Sequence, residues 1–411
     1  MPSQREFDLV LHGASGFVGT LTAAYLAEHA PAGTRIALSG RSAERLAAVR
    51  AQLGAAAADW PALVVDSADR RGVQDLAERA TVVASTVGPY ARYGLPLVEA
   101  CAQAGTAYAD LTGEVLFVRD SIDAADATAR SSGARIVHAC GFDSIPSDLG
   151  VLLTAERATA DGAGPLTDTQ LVAVSMRGGV SGGTIDSLRA QVDAVRARPD
   201  LRQVVADPYA LSPDRAAEPD LGPEKDTVVV GRTDGRWTGP FVMAPFNTRI
   251  VRRSNALQGW TYGRTFRYAE VMAFGTSPVG PVLAAGTAAG VVGLGAGLGF
   301  GPSRALLDRV LPSPGQGPGE KARQSGHFRM EITAVTVSGA RYRTTVAAKG
   351  DPGYAATAVM LGESALCLSL DNPSELGNRA GGGVLTPATA MGAQLADRLR
   401  TAGFTFHTEA V

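Results

Sequence analysis

The stretch Gly13-Ala14-Ser15-Gly16-Phe17-Val18-Gly19 sets three glycines at a spacing suited to holding phosphate. It follows the apolar run Phe7–Leu11 and leads into the helical run Thr20–His29. Gly13 permits a tight turn there, Gly16 lets backbone approach a pyrophosphate, and Gly19 lets the helix pack on the sheet. The N–H groups and dipole at the helix start then hold the anion. The middle glycine stands one place later than in G-x-G-x-x-G, a variant more common in NADP enzymes. A bare glycine triplet says little. The strand before it, the helix after it and a second strand ending about 20 residues on make it a dinucleotide loop.

The end of that second strand selects the cofactor. An NAD enzyme would place an acid there to bond the ribose hydroxyls, whereas this chain reads Ser39-Gly40-Arg41-Ser42. Arg41 offers a planar fork matched to a 2′-phosphate, Ser42 can add a hydroxyl, and Arg45 lies one helical turn on. NADPH is therefore the expected cofactor, the plain alternative being that Arg41 is a solvated helix-start residue. Asp66 ends the next strand and is placed to approach the adenine edge, or equally to close a turn.

Three further strand ends point at the nicotinamide crevice, because ligands of such folds lie beyond the carboxyl ends of parallel strands. They are Thr86-Val87-Gly88-Pro89-Tyr90, Asp110-Leu111-Thr112-Gly113-Glu114 and Cys140-Gly141-Phe142-Asp143-Ser144. Gly88-Pro89 brings backbone close to the cofactor, and Tyr90 or Tyr93 could donate a proton. Packing, capping and helix initiation are the competing roles for these residues. His12 and His138 sit in or at the end of strands and read as satisfied core residues.

The elements that must position these groups alternate. Strands are expected at Phe7–Leu11, Ile36–Ser39, Leu63–Val65, Val82–Ser85, Ala107–Asp110 and Arg135–His138, with helices beginning near Gly16, Ala43, Arg70, Leu95 and Val115. Gly54, Gly105 and Gly133 fall where left-handed helix caps belong. This is an α/β fold, a Rossmann-type doubly wound parallel sheet over residues 1–150. A second, α+β domain is expected over 151–384, with strands at Gln170–Met176, Thr227–Val230, Arg329–Ser338 and Ala340–Ala347. Pro-rich surface loops are expected at Asp207–Glu224 and Pro312–Gly326. Residues 385–411 hold a last helix, Pro387–Arg400, that could return to the first domain.

The chain has 411 residues, enough for two or three globular units. Hydrophobic residues make up 45% and charged residues 19%, which excludes disorder. The formal charge is −2, from 38 basic and 40 acidic residues, so no global field draws nucleic acid. Three cysteines, Cys101, Cys140 and Cys367, are too few and too scattered for a disulfide framework or a metal knuckle. The start of the chain leaves no room for a signal peptide, so a cytoplasmic location is expected.

From Gly275 to Ser303 the chain carries no charge, and this stretch is long enough to span a bilayer. A single crossing would separate the strands after Phe328 from the cofactor domain. Peripheral membrane contact through 279–300, at the inner face of the cell membrane, is one reading. A Gly/Ala-rich buried helix pair is the other.

The motifs GASGFVG, SGRS, TVGPYARYGLPLVEAC, YADLTGE and HACGFDSIPSD, in this order and spacing, resemble the saccharopine dehydrogenase-like oxidoreductases. FNTRIVRRSNALQ, GARYRT and GVLTPATAMG extend the resemblance, over nearly the whole chain, to the trans-acting enoyl reductases within that family. The resemblance implies a Rossmann domain followed by an α+β domain that shapes the substrate cleft. It also implies reduction of a carbon–carbon double bond in a polyketide chain, supplied in trans to a synthase, on the way to phthiocerol- and phenolphthiocerol-type lipids. The partners would be that acyl substrate and a polyketide synthase carrier domain, and a homo-oligomer is compatible. It brings no established catalytic residue. By position Tyr90 is the first candidate to protonate the α-carbon and Asp143 the second, with bound water open. Reduction of an imine joining lysine to an oxo-acid is the rival reaction, and Arg249, Arg252 and Arg253 the cluster it would use. The same arginines could instead dock an acidic carrier or be a solvated face. A redox-silent NADPH-binding, lipid-associated protein is the reading from another class.

Overall fold

The computed structural model describes residues 5–178, 182–221, 230–300, 319–372 and 381–411, with isolated positions at 302, 304, 307, 374 and 376. Two seven-stranded sheets organise the chain. The first contains β1 (Phe7–His12), β2 (Ile36–Gly40), β3 (Ala62–Val64), β4 (Ala80–Ser85), β5 (Ala107–Asp110), β6 (Arg135–Val137) and, from late in the chain, β13 (Gly383–Leu385). Every pairing in it is parallel, and the order is β13-β6-β5-β4-β1-β2-β3. From β1 the strands are added first on one side, as β2 and β3, and then on the other, as β4, β5 and β6, and this reversal of strand order opens the crevice of a doubly wound sheet between β1 and β4.

The inner strands of this sheet are buried on both faces, as the apolar runs require, while the edge strand β3 is largely exposed. Leu9 and Leu11 face one hydrophobic cluster while Phe7 and Val10 face the other. Helices Phe17–His29, Ala43–Leu53, Arg70–Arg79, Leu95–Ala104 and Val115–Ser132 cover the faces. Gly105 and Gly133 cap their helices at φ 70° and 83°.

The second sheet contains β7 (Leu166–Arg177), β8 (Gly231–Thr233), β9 (Arg236–Pro240), β10 (Arg267–Ala273), β11 (His327–Thr336) and β12 (Arg341–Lys349). It is mixed, because β7 and β10 run parallel while the other neighbours are antiparallel. Helix Ile145–Ala160 carries the chain from one sheet to the other. A single hydrophobic cluster runs with it, from Leu9 and Leu11 through Leu149 and Leu152 to Phe328 and Ile332.

The C-terminal segment serves both sheets. β13 (Gly383–Leu385) pairs with β6 as the seventh strand of the first, and β14 (Thr405–Ala410) pairs with β12 at the edge of the second. The expected helix Pro387–Arg400 is two helices, Pro387–Ala390 and Gly392–Thr401, broken where Gly392 takes φ 56°. The expected strand at Thr227–Val230 lies, but for Val230, outside the described residues, as do 222–224 and 312–318 of the two expected loops.

The uncharged stretch forms one long helix, Gly280–Gly299, rather than a buried pair. From Gly280 to Leu298 its mean hydropathy is 1.6, yet only 11% of it is buried. A second apolar stretch, Pro352–Leu370, is 72% buried and is a core helix.

Candidate active site

Strand register brings the ends of four strands to one level. His12 pairs with Ser39 and with Ser85, and Ser85 pairs with Asp110, so the loops that follow β1, β2, β4 and β5 open side by side. Both ring nitrogens of His12 are taken, by Ser39 Oγ at 3.0 Å and Ser67 Oγ at 2.8 Å. Burial lowers its pKa to about 4 and keeps the ring neutral.

The phosphate loop is closed by contacts that only glycine allows. Gly13 sits at φ +85°, and a Cβ there would meet Thr86 Oγ1 at 2.7 Å. A Cβ on Gly19 would stand 2.2 Å from the Gly13 carbonyl oxygen. Thr86 Oγ1 donates to that same carbonyl at 3.0 Å, joining the loops after β1 and β4. Gly16 is the N-cap of helix Phe17–His29, which has no side-chain cap and no acid in its first turn. The backbone around Ala14, Ser15, Phe17 and Val18 is thus shaped and polarised for an anion, which fits a dinucleotide pyrophosphate.

Arg41 is exposed at the end of β2 with no carboxylate at that position, which fits a 2′-phosphate. Ser42 caps the next helix, accepting from the Arg45 N–H at 3.3 Å. The Arg45 guanidinium donates to the Ser15 carbonyl at 2.8 Å, so it braces the phosphate loop. Asp66 is exposed and accepts from the Ala68 N–H at 2.9 Å, closing a turn.

Around the nicotinamide end the two candidate proton donors sit in different surroundings. Tyr90 is 5% exposed, and its hydroxyl donates to the Ser85 carbonyl at 3.0 Å while accepting from the Leu111 N–H at 3.2 Å. Burial pushes its pKa well above the ordinary tyrosine value, with Asp110 adding to the effect. Tyr90 therefore ties the loops after β4 and β5 together and is poorly placed to release a proton. Val87, Gly88 and Pro89 lead into it, and Tyr93 is exposed at the end of the short helix Tyr90–Tyr93.

Asp143 behaves differently. It follows β6, lies beside Gly113 and Met243, and remains partly open to solvent. Burial raises its pKa to about 7, and the Asp110 carboxylate adds to the rise. An acid half protonated near neutrality can hold a proton and give it up, which the ordinary aspartate cannot do at pH 7.

Two supports were missed in the sequence. Glu114 accepts from the N–H groups of Tyr90 at 2.9 Å and Ala91 at 2.8 Å, and from Ser187 Oγ of helix Gly182–Ala197 at 2.7 Å. It pins the β4 loop to the second domain. Ser144 donates to Asn247 Oδ1 at 3.1 Å, and Asn247 donates to the buried carboxyl of Glu270 at 3.0 Å. This chain holds the Asp143 loop against β10. An acid directly before a helix start was the available signal for Glu114. For Asn247 no local pattern exists.

His138 is satisfied by Asp110 Oδ2 and Ser121 Oγ, both at 2.8 Å. The arginine cluster proves to be structural. On helix Ala244–Leu257, Arg249 donates to the carbonyl of Val205 at 2.6 Å, and Arg252 to that of Tyr268 at 3.1 Å. Arg253, 1% exposed, reaches the carbonyls of Leu211 at 2.6 Å and Val384 at 2.5 Å, and its burial lowers its pKa to about 10. All three side chains are buried and do not form a solvated face.

Residues 9–137 match the saccharopine dehydrogenase NADP-binding domain family. A Mycobacterium tuberculosis (strain H37Rv) protein provisionally named a trans-acting enoyl reductase is 52% identical over 419 residues, covering 98% of each chain. Trans-acting enoyl reductases of Mycobacterium bovis (strain BCG) and Mycobacterium ulcerans are each 50% identical over 417 residues. These alignments cover 99% of both chains in the first case, and 98% of this chain and 97% of the relative in the second. The apo saccharopine dehydrogenase of Saccharomyces cerevisiae superposes with a TM-score of 0.56 at 12% identity, over 98% of this chain and 99% of that one, which shows a shared fold. With its NADP-type phosphate loop and full-length relatives at half identity, the chain belongs to the saccharopine dehydrogenase-like family, among the trans-acting enoyl reductases, and is an NADP-dependent oxidoreductase.

Proposed function

We propose that the protein saturates the carbon–carbon double bond of an enoyl thioester in a polyketide-derived lipid intermediate of the phthiocerol or phenolphthiocerol type. The substrate is presented in trans by a polyketide synthase carrier domain. The observation that carries this reading is identity of 50–52% across both domains to relatives named trans-acting enoyl reductases. The residues that shape the second domain are matched along with the dinucleotide site.

Bound NADPH supplies the hydride that adds at the β-carbon of the acyl group. Asp143 holds the proton that the α-carbon takes up, because its raised pKa keeps part of the population protonated at neutral pH. Ser144 and Asn247 fix the backbone beside that carboxyl, and Glu114 fixes the loop opposite. Residues Gly13 to Gly19 seat the pyrophosphate, Thr86 and Val87 close over the loop, and Arg41 and Ser42 select the 2′-phosphate. Conversion of Arg249, Arg252 and Arg253 into buried anchors takes away the cation cluster that a multiply charged imine substrate would use.

Lipid mass spectra of cells lacking the protein test the proposal. The expected product carries one unreduced double bond and is lighter by two hydrogens. Fully saturated lipids in the deletion strain overturn it.

A further inference from the structure

Helix Gly280–Gly299 is about 30 Å long at 1.5 Å per residue, and it packs along β9 and helix Gly182–Ala197 with one side only. Among the described residues nothing covers its other half. Val282, Leu283, Ala285, Ala289, Val292 and Ala296 share that outer half of the cylinder and all are exposed, Val282 at 69% and Val292 at 72%. An ordinary surface helix turns charged side chains outward, whereas this one has none to turn. Its single hydroxyl, Thr287 Oγ1, donates back to the Leu283 carbonyl at 2.9 Å.

The chemistry on offer is hydrocarbon alone. Protein partners bring a polar rim and about one hydrogen bond per 100–200 Å² of interface, and this face has no side chain to meet them. A bilayer interior asks for nothing else. The charges stand at the margins instead. At the N-terminal end Gly280 packs on Trp237, and the Arg232 guanidinium lies 5.3 Å over the centre of that indole. Past the C-terminal end, Arg304 pairs with Asp193 of helix Gly182–Ala197, and the exposed Arg196 lies near that carboxylate. An aromatic and cations bordering an apolar face complement an anionic headgroup layer over acyl chains. A full crossing is incompatible with the packing, since β11 and β12 follow the helix and complete the same sheet as β9.

We propose that the outer face of helix Gly280–Gly299 lies in the boundary of an anionic lipid bilayer, as a monotopic anchor. The active site then works beside the membrane, where a long acyl product has somewhere to go. The anchor stands apart from the dinucleotide site, so its failure leaves the enoyl reductase reading untouched.

Sedimentation of the full-length protein with vesicles of phosphatidylglycerol and phosphatidylethanolamine tests this directly. Wild type should pellet with them. The variant combining Val282→Asp, Leu283→Asp and Val292→Asp should lose about a hundredfold or more in partitioning, given the cost of placing acids in hydrocarbon. NADPH affinity, followed by fluorescence, should not change. The single Val292→Asp, at a position 72% exposed, repeats the test at lower amplitude should the triple variant fold poorly. A wild type that stays in the supernatant, or Asp variants that pellet equally, overturn the proposal. A wild type indifferent to vesicles but dimeric, and made monomeric by Val292→Asp, also overturns it and gives the face to a second copy of the chain.

Discussion

Replacing Asp143 by Asn should stabilise the protein while slowing it, and both effects depend on pH. In the unfolded chain the carboxyl ionises above about pH 3.9, but in the folded protein only above about 7. Between those values the folded state holds a proton that the unfolded state has lost, so wild-type stability falls as pH rises and levels off above 7. Asn has no proton to lose. Linkage then gives the variant an advantage of roughly 1.5 kcal/mol at pH 5 and roughly 4 kcal/mol at pH 8, upper bounds because solvent reaches part of the carboxyl. Chemical denaturation of both proteins at the two pH values measures the difference. The catalytic side runs in parallel. Wild-type turnover should fall about tenfold per unit above pH 7 as the donor ionises, so Asn should cost roughly 10²- to 10⁴-fold below pH 7 and progressively less above it. An Asn variant that turns over normally refutes the donor role. A stability gap that does not widen from pH 5 to pH 8 refutes the raised pKa on which it rests.

Three further substitutions separate the parts of the site. Arg41→Ala should weaken NADPH binding by roughly 1.5–3 kcal/mol, the range for a hydrogen bond to a charged group, and leave NADH nearly unchanged in parallel fluorescence titrations. Tyr90→Phe should lower stability by about 1–3 kcal/mol, since it orphans the Ser85 carbonyl and the Leu111 N–H, yet keep most of kcat. A loss of kcat beyond a hundredfold with intact stability would return the donor role to Tyr90. Arg253→Met should cost about 3 kcal/mol or more on unfolding, by stranding the carbonyls of Leu211 and Val384, with no change in KM for the acyl substrate.

Much of the first domain was legible because its signals are local. A three-glycine turn between strand and helix, Arg41 where an acid would serve NAD, and glycines after helices each report on their own neighbourhood. What escaped reading depends on distant partners. Gly383–Leu385 is three residues long and becomes a strand only because β6, nearly 250 residues earlier, offers an open edge. Arg249, Arg252 and Arg253 look like a charged helix face until the carbonyls of Val205, Leu211 and Val384 are folded onto them. Tyr90 and Asp143 occupy similar places after their strands. Only the hydrogen bond from Tyr90 to Ser85, and the burial of Asp143 near Asp110, tell the brace from the acid. The uncharged segment showed its composition in the sequence, but which half of it faces outward required the helix to be seated on β9.

The most direct test of the central claim follows the two added hydrogens. Purified protein is incubated with an enoyl thioester of polyketide type and NADPH carrying deuterium at the transferable position, and in a second reaction with unlabelled NADPH in heavy water. The account predicts cofactor oxidation in both. The acyl product should carry one cofactor-derived deuterium at the β-carbon in the first reaction, and one solvent-derived deuterium at the α-carbon in the second. An enoyl chain returned unreduced, with deuterium appearing only when lysine and an oxo-acid are supplied, would contradict it.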